Sequence, residues 1–124
     1  MNIEQVREYC LGKSGAIEMR PFDPDTLVYK VARANGKERM FALMSLQRSD
    51  YVTLKCDPEL AVDLRDRLAD DVQGAWHFNK RHWNQIRLSG LLSDRQIQLL
   101  IDHSYDLVLL ASRAPELDRR EFSL

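Results

Sequence analysis

The sequence predicts an α+β fold in two layers, an antiparallel sheet with helices packed on it. Three observations carry that reading. Helical periodicity with a capping-box signal stands near both ends, at Asn2/Gln5 and at Ser93/Gln96. Extended segments follow one another between them, through the turn dipeptide Asn35-Gly36 and on to "YVTLKC". A chain of 124 residues is also the size of one domain with one core.

Asn2 caps the first helix, Gln5 reaches back, and Ile3, Val6 and Cys10 recur at helical spacing until Gly12. From Ala16 the pattern turns extended, broken by "RPFDPD", where Pro21 and Pro24 turn the preceding residues away from helix. "LVYKVA" alternates Leu27, Tyr29 and Val31 against Val28, Lys30 and Ala32, and "RMFALMSL" answers it across Asn35-Gly36, a dipeptide suited to a type I′ turn. Val52, Leu54 and Cys56 form the buried side of a third strand, which completes a meander. Asp57 and Pro58 then open a second helix with Leu60, Leu64 and Leu68 on its apolar stripe. Gly74 interrupts, and "WNQIRL" adds a short strand with Ile86 and Leu88 on one face. In the last helix Ser93 is the N-cap, Leu92 staples against Ile97, and Ile97, Leu100, Ile101, Ser104 and Val108 face the core. The domain is expected to span residues 1–111, and the polar residues 112–124 to form a partly ordered tail beyond Ala111.

Composition excludes several classes. A hydrophobic fraction of 44% with 30% charged residues fits a folded domain rather than a disordered chain. No apolar run approaches the roughly 20 residues of a bilayer span, and Met1 to Lys13 does not resemble a signal peptide, so the expected location is the cytoplasm with no membrane partner. Cys10 and Cys56 sit in apolar patterns and are expected to be buried free thiols. The net charge of -1 leaves any nucleic-acid binding to a local patch.

One stretch stands apart. "WHFNKRHWNQIRL" holds both tryptophans, two of the three histidines, and Lys80, Arg81 and Arg87 with no carboxylate. Together with "VTLKCDPELAVDLRD", "LIDHSYDLV" and the early "VREYCLGKSGAIEMRPFDPDTLVYKV", it resembles the signature segments of the MmcQ/YjbR family of small bacterial proteins, over nearly the whole chain to about Leu110. The resemblance implies a compact, secretion-chaperone-like α+β fold and a double-wing surface proposed to bind DNA. The family's His-x-Asn-Lys-x-His-Trp core stands here as His77, Asn79, Lys80, His82 and Trp83, and its Ser-Tyr pair as Ser104 and Tyr105. Departures are Trp76 where relatives commonly have tyrosine, Ser14-Gly15 where they often have Pro-Gly, and a tail whose three arginines are balanced by three acids rather than being basic.

A non-enzymatic, DNA-binding function follows as the expectation, with another protein as the alternative partner. Lys80, Arg81 and Arg87 are expected to meet phosphates, His77, Asn79 and His82 to lie in the binding segment, and the hairpin cations Lys30, Arg33, Lys37 and Arg39, Lys37 and Arg39 foremost, to assist. Three phosphate contacts alone give a salt slope of only about -2.7. Trp76 and Trp83 are expected to be core residues, with Trp83 supporting the loop from below, and Ser104 and Tyr105 are expected to be structural as well. No catalytic residue, metal ligand or cofactor is expected. His77 and His82 are five apart in a loop with no carboxylate near them in sequence, and Asp102, His103, Ser104 and Tyr105 diverge around a helix.

Overall fold

Asn2 closes both halves of its capping box with Gln5 and starts α1 (Ile3–Leu11), whose Val6 and Cys10 are fully buried. The protein, described over residues 1–123 by a computed structural model, continues with β1 (Ile17–Met19), β2 (Thr26–Ala32), β3 (Glu38–Ser45) and β4 (Tyr51–Lys55). Then come α2 (Pro58–Arg67), β5 (Val72–Gly74), β6 (Trp83–Arg87) and α3 (Asp94–Leu110). All pairings are antiparallel, and the six strands lie in the order β1-β2-β3-β4-β6-β5. The expected meander is therefore its middle, with β1 and β5 as short added edges; the three residues of each carry too little periodicity to be read from sequence.

Register separates the two faces. Glu18, Tyr29, Ala42, Leu54, Asn84 and Gly74 form one transverse row, and Met19, Val28, Leu43, Thr53, Gln85 and Gln73 form the next, on the opposite side. The first row faces the helices: α3 packs across β2, β3 and β4, α2 against β5, and α1 against β4. The Glu18 carboxylate accepts from Arg7 of α1 and from the Tyr29 hydroxyl at 2.7 Å each, which ties β1 and β2 to that helix. Arg7 holds Glu18 below the usual carboxylate range, while burial pushes the Tyr29 phenol up.

The β2–β3 pair departs from strict alternation at Phe41, which has no partner because Tyr29 faces Ala42 and Lys30 faces Met40. This bulge puts Phe41 edge-on to Tyr105 of α3, with centroids 5.3 Å apart, and aims its carbonyl at the Ser104 hydroxyl. The same hydroxyl accepts from the Lys55 N–H at 2.9 Å, so one fully buried serine joins α3 to β3 and β4. Tyr105 reaches the Ser14 carbonyl. None of these contacts is to the 75–82 loop.

Two expectations need correction. The Asn35-Gly36 turn is not type I′, because only Gly36 has positive φ, at 82°. Gly36 N–H donates to Arg33 O and Arg33 N–H to Lys37 O, the pattern of a three-residue loop with glycine in the left-handed position. Residues 112–123 also differ from a partly ordered tail: they form 3-10 turns at Ala111–Arg113 and Arg119–Phe122, and Phe122 is completely buried. One apolar side chain in an otherwise polar segment gives no periodicity to read.

Candidate nucleic-acid interface

The antiparallel register brings the ends of several strands together. β2 leaves the sheet at Ala32, β3 enters at Glu38, β4 ends at Lys55 opposite Trp83 of β6, and β5 ends at Gly74 opposite Asn84. The 33–37 turn and the 75–82 loop therefore flank the end of β4 from opposite sides. They gather Arg33, Lys37, Arg39, Lys55, Lys80 and Arg81 at one end of the sheet, where Glu38 and Asp57 are the acids contributed by the same segments. None of these six cations forms an ion pair among the described residues.

Local hydrogen bonds give the 75–82 loop its shape. The Asn79 side-chain oxygen accepts from Arg81 N at 3.0 Å, and its carbonyl accepts from both His82 N and Trp83 N at 3.0 Å. His82 O receives Cys56 N at 2.8 Å, and Arg65 of α2 donates to Lys80 O at 2.6 Å. Asn79 is thus first a turn former. Gly74 matters for a different reason: a Cβ there would stand 3.0 Å from the Lys80 Cγ and Cδ, so its absence lets the lysine stem lie against β5. His77, Lys80 and Arg81 are exposed, and His82 is half-buried.

The face opposite the α-helices carries a groove of about 180 Å³ between Arg48 and Tyr51 on one side and Trp76, His77 and Phe78 on the other. Leu43, Thr53 and Gln85 reach it from the second transverse row. The expectation that Trp76 is a core residue is overturned, since it is 66% exposed. It follows the end of β5, and no α-helix lines that groove. Trp83 is half-buried, its ring 5.5 Å from Phe78. His77 beside Trp76 adopts φ 69°, a left-handed conformation that a β-carbon makes costly and that recurs at binding sites.

Arg87 does not join the cluster. It closes β6 at the far end, opposite Tyr51, and its Nε pairs with Asp50 at 3.3 Å. Lys55 was missed as a site residue. The outward position of Lys55 in "YVTLKC" was the signal for it, but its meeting with Arg33 depends on the β2–β3–β4 pairing.

His103 lies apart from the loop, buried in α3, with Nε2 accepting from Asp57 N at 3.1 Å. That bond puts the proton on Nδ1, and burial lowers the imidazole's pKa, so the ring is a neutral structural group. Cys10 and Cys56 are buried free thiols pushed up to about 12 by desolvation. Among the described residues no three His, Cys, Asp or Glu side chains are grouped to hold a metal, and no helix is long and apolar enough to cross a membrane.

Comparison with known proteins places this geometry among relatives. The YjbR family model matches residues 11–107. The YjbR protein of Escherichia coli (strain K12) is 35% identical over 106 residues, covering 85% of each chain. The YbdF protein of Escherichia coli O157:H7 is 30% identical over 90 residues, covering 72% of this chain and 69% of its own. A crystal structure of a Deinococcus radiodurans protein with a DUF419 domain superposes with a TM-score of 0.80 at 31% identity, covering 98% of this chain and 88% of that one. A Pseudomonas syringae crystal structure gives a TM-score of 0.68 at 29% identity, covering 87% and 99%.

Proposed function

The chain belongs to the YjbR family, and from that premise we propose that it is a non-enzymatic, cytoplasmic DNA-binding protein. It holds the phosphate backbone between the 33–37 turn and the 75–82 loop. One observation carries this reading: two loops on opposite sides of β4 flank Lys55 with cations that form no ion pair among the described residues, in a chain whose net charge is only -1. Such asymmetry concentrates positive potential on one edge, as a backbone-tracking surface requires. The exposed imidazole of His77 is a further hydrogen-bond donor to the strand.

A second reading follows from Trp76. An exposed tryptophan over an apolar groove on the helix-free face is also the usual anchor of a protein partner. Charge reversal separates the two. Lys37→Glu with Arg39→Glu, and Lys80→Glu with Arg81→Glu, are each expected to lower DNA affinity at least tenfold in fluorescence anisotropy, with circular dichroism unchanged. Trp76→Ala is expected to have a smaller effect than either. If both double variants bind DNA like wild type, the backbone-clamp reading fails; if no DNA binds and only Trp76→Ala loses a protein ligand, the second reading replaces it.

A further inference from the structure

Behind the outward loops lies a pocket of about 230 Å³ that a surface clamp does not require. Arg33, Lys55 and His82 line it, with Asp57, Leu107 and Ala111 among the remaining walls. Its charges are not balanced in an obvious way. The Asp57 side chain is engaged at 3.2 Å with Leu60 N–H as the cap of α2. Arg33 uses its Nε on the Val108 carbonyl at 2.7 Å, which fixes the guanidinium and leaves its four terminal N–H groups without a partner among the described residues. The Lys55 ammonium has no hydrogen-bond acceptor and no ion-pair partner among the described residues, and its pKa is lowered, first by burial and second by the Arg33 charge. A half-buried ammonium beside a fixed guanidinium costs stability unless an anion joins them.

We propose that this pocket seats a phosphate group, held by the terminal N–H groups of Arg33 and the Lys55 ammonium, with His82 as a third donor. The planar guanidinium suits two phosphate oxygens at once, and the lysine supplies a point charge to a third. The volume admits the phosphate and the first atoms of its ester. The seat rests on the cationic end described above, and a DNA strand is one source of the group; a free phosphorylated small molecule is the other.

Thermal unfolding in phosphate against chloride at equal ionic strength tests it. Phosphate in tenfold or greater excess over its dissociation constant is expected to raise the Tm of wild type by about 3 °C or more. Lys55→Met removes the repelled charge, so it is expected to raise Tm in chloride and to abolish the phosphate increment. General salting-out by phosphate would stabilise both proteins alike, so equal shifts, or none in wild type, overturn the seat. A nucleoside monophosphate and 5′-phosphorylated or 5′-hydroxyl oligonucleotides then identify the source. DNA binding without a phosphate shift keeps the nucleic-acid reading and overturns the seat. A Lys55-dependent phosphate shift without DNA binding supports the seat for a small molecule and overturns the nucleic-acid reading.

Discussion

Phe122→Ala is expected to destabilise the protein by about 3 to 5 kcal/mol, the usual cost of removing a buried aromatic ring without collapse of the space it leaves. Phe122 has no exposed surface and belongs to the main core cluster. Its backbone is held by polar ties to two helices. Gln96 of α3 donates to Glu121 O at 2.8 Å, Arg95 pairs with Glu121 at 3.2 Å, and Arg119 lies 3.7 Å from Glu59 of α2. The exposed pairs contribute little by themselves, so the ring is the anchor. Urea unfolding measures the effect as a lower midpoint, and Phe122→Leu should recover most of it. A loss below about 1 kcal/mol for the alanine variant would mean that the segment does not dock on the core.

Gly90→Ala is expected to cost about 2 to 4 kcal/mol, for steric rather than conformational reasons. A Cβ at Gly90 would lie 1.8 Å from the Asp71 Oδ1 and 2.4 Å from its Cγ. Asp71 is 95% buried by the measure of its 5% exposure, and it has little room to retreat. Its Oδ2 accepts Leu91 N at 3.0 Å, and its backbone carbonyl accepts Arg87 N at 2.8 Å, so displacement disturbs the joint between β6 and the approach to α3. The Gly90→Ala, Asp71→Ala double variant should lose in total scarcely more than Asp71→Ala alone, since the clash has gone. Additive losses in that double-mutant cycle would contradict the contact.

Much of the fold was legible because its determinants are local. Asn2, Asp57 and Ser93 cap the three α-helices as their sequence contexts indicate, and Leu92 and Ile97 are both buried at the α3 start. What escaped depends on contacts far apart in the chain. The Phe41 bulge is fixed by α3, where Ser104 and Tyr105 are more than sixty residues away. Arg87 reads as a free cation until β4 brings Asp50, 37 residues distant, to within 3.3 Å of it. Trp76 reads as core because of its size; its exposure reflects the absence of an α-helix on that side of the sheet, which no local pattern announces.

The candidate site divides the same way. Lys80, Arg81, His77 and His82 were recognisable as a segment, and Lys37 and Arg39 as a hairpin, but their common location is a consequence of strand order. Central to the account is that these two loops and Lys55 act as one cationic surface. Measuring DNA affinity by fluorescence anisotropy across a range of salt concentrations tests this most directly. Engagement of Lys37, Arg39, Lys55, Lys80 and Arg81 on duplex DNA predicts a log–log salt slope of about -4.5, falling to about -2.7 in the Lys80→Ala, Arg81→Ala variant. No binding at low salt by the folded protein, or binding whose slope is the same in the variant, would contradict it.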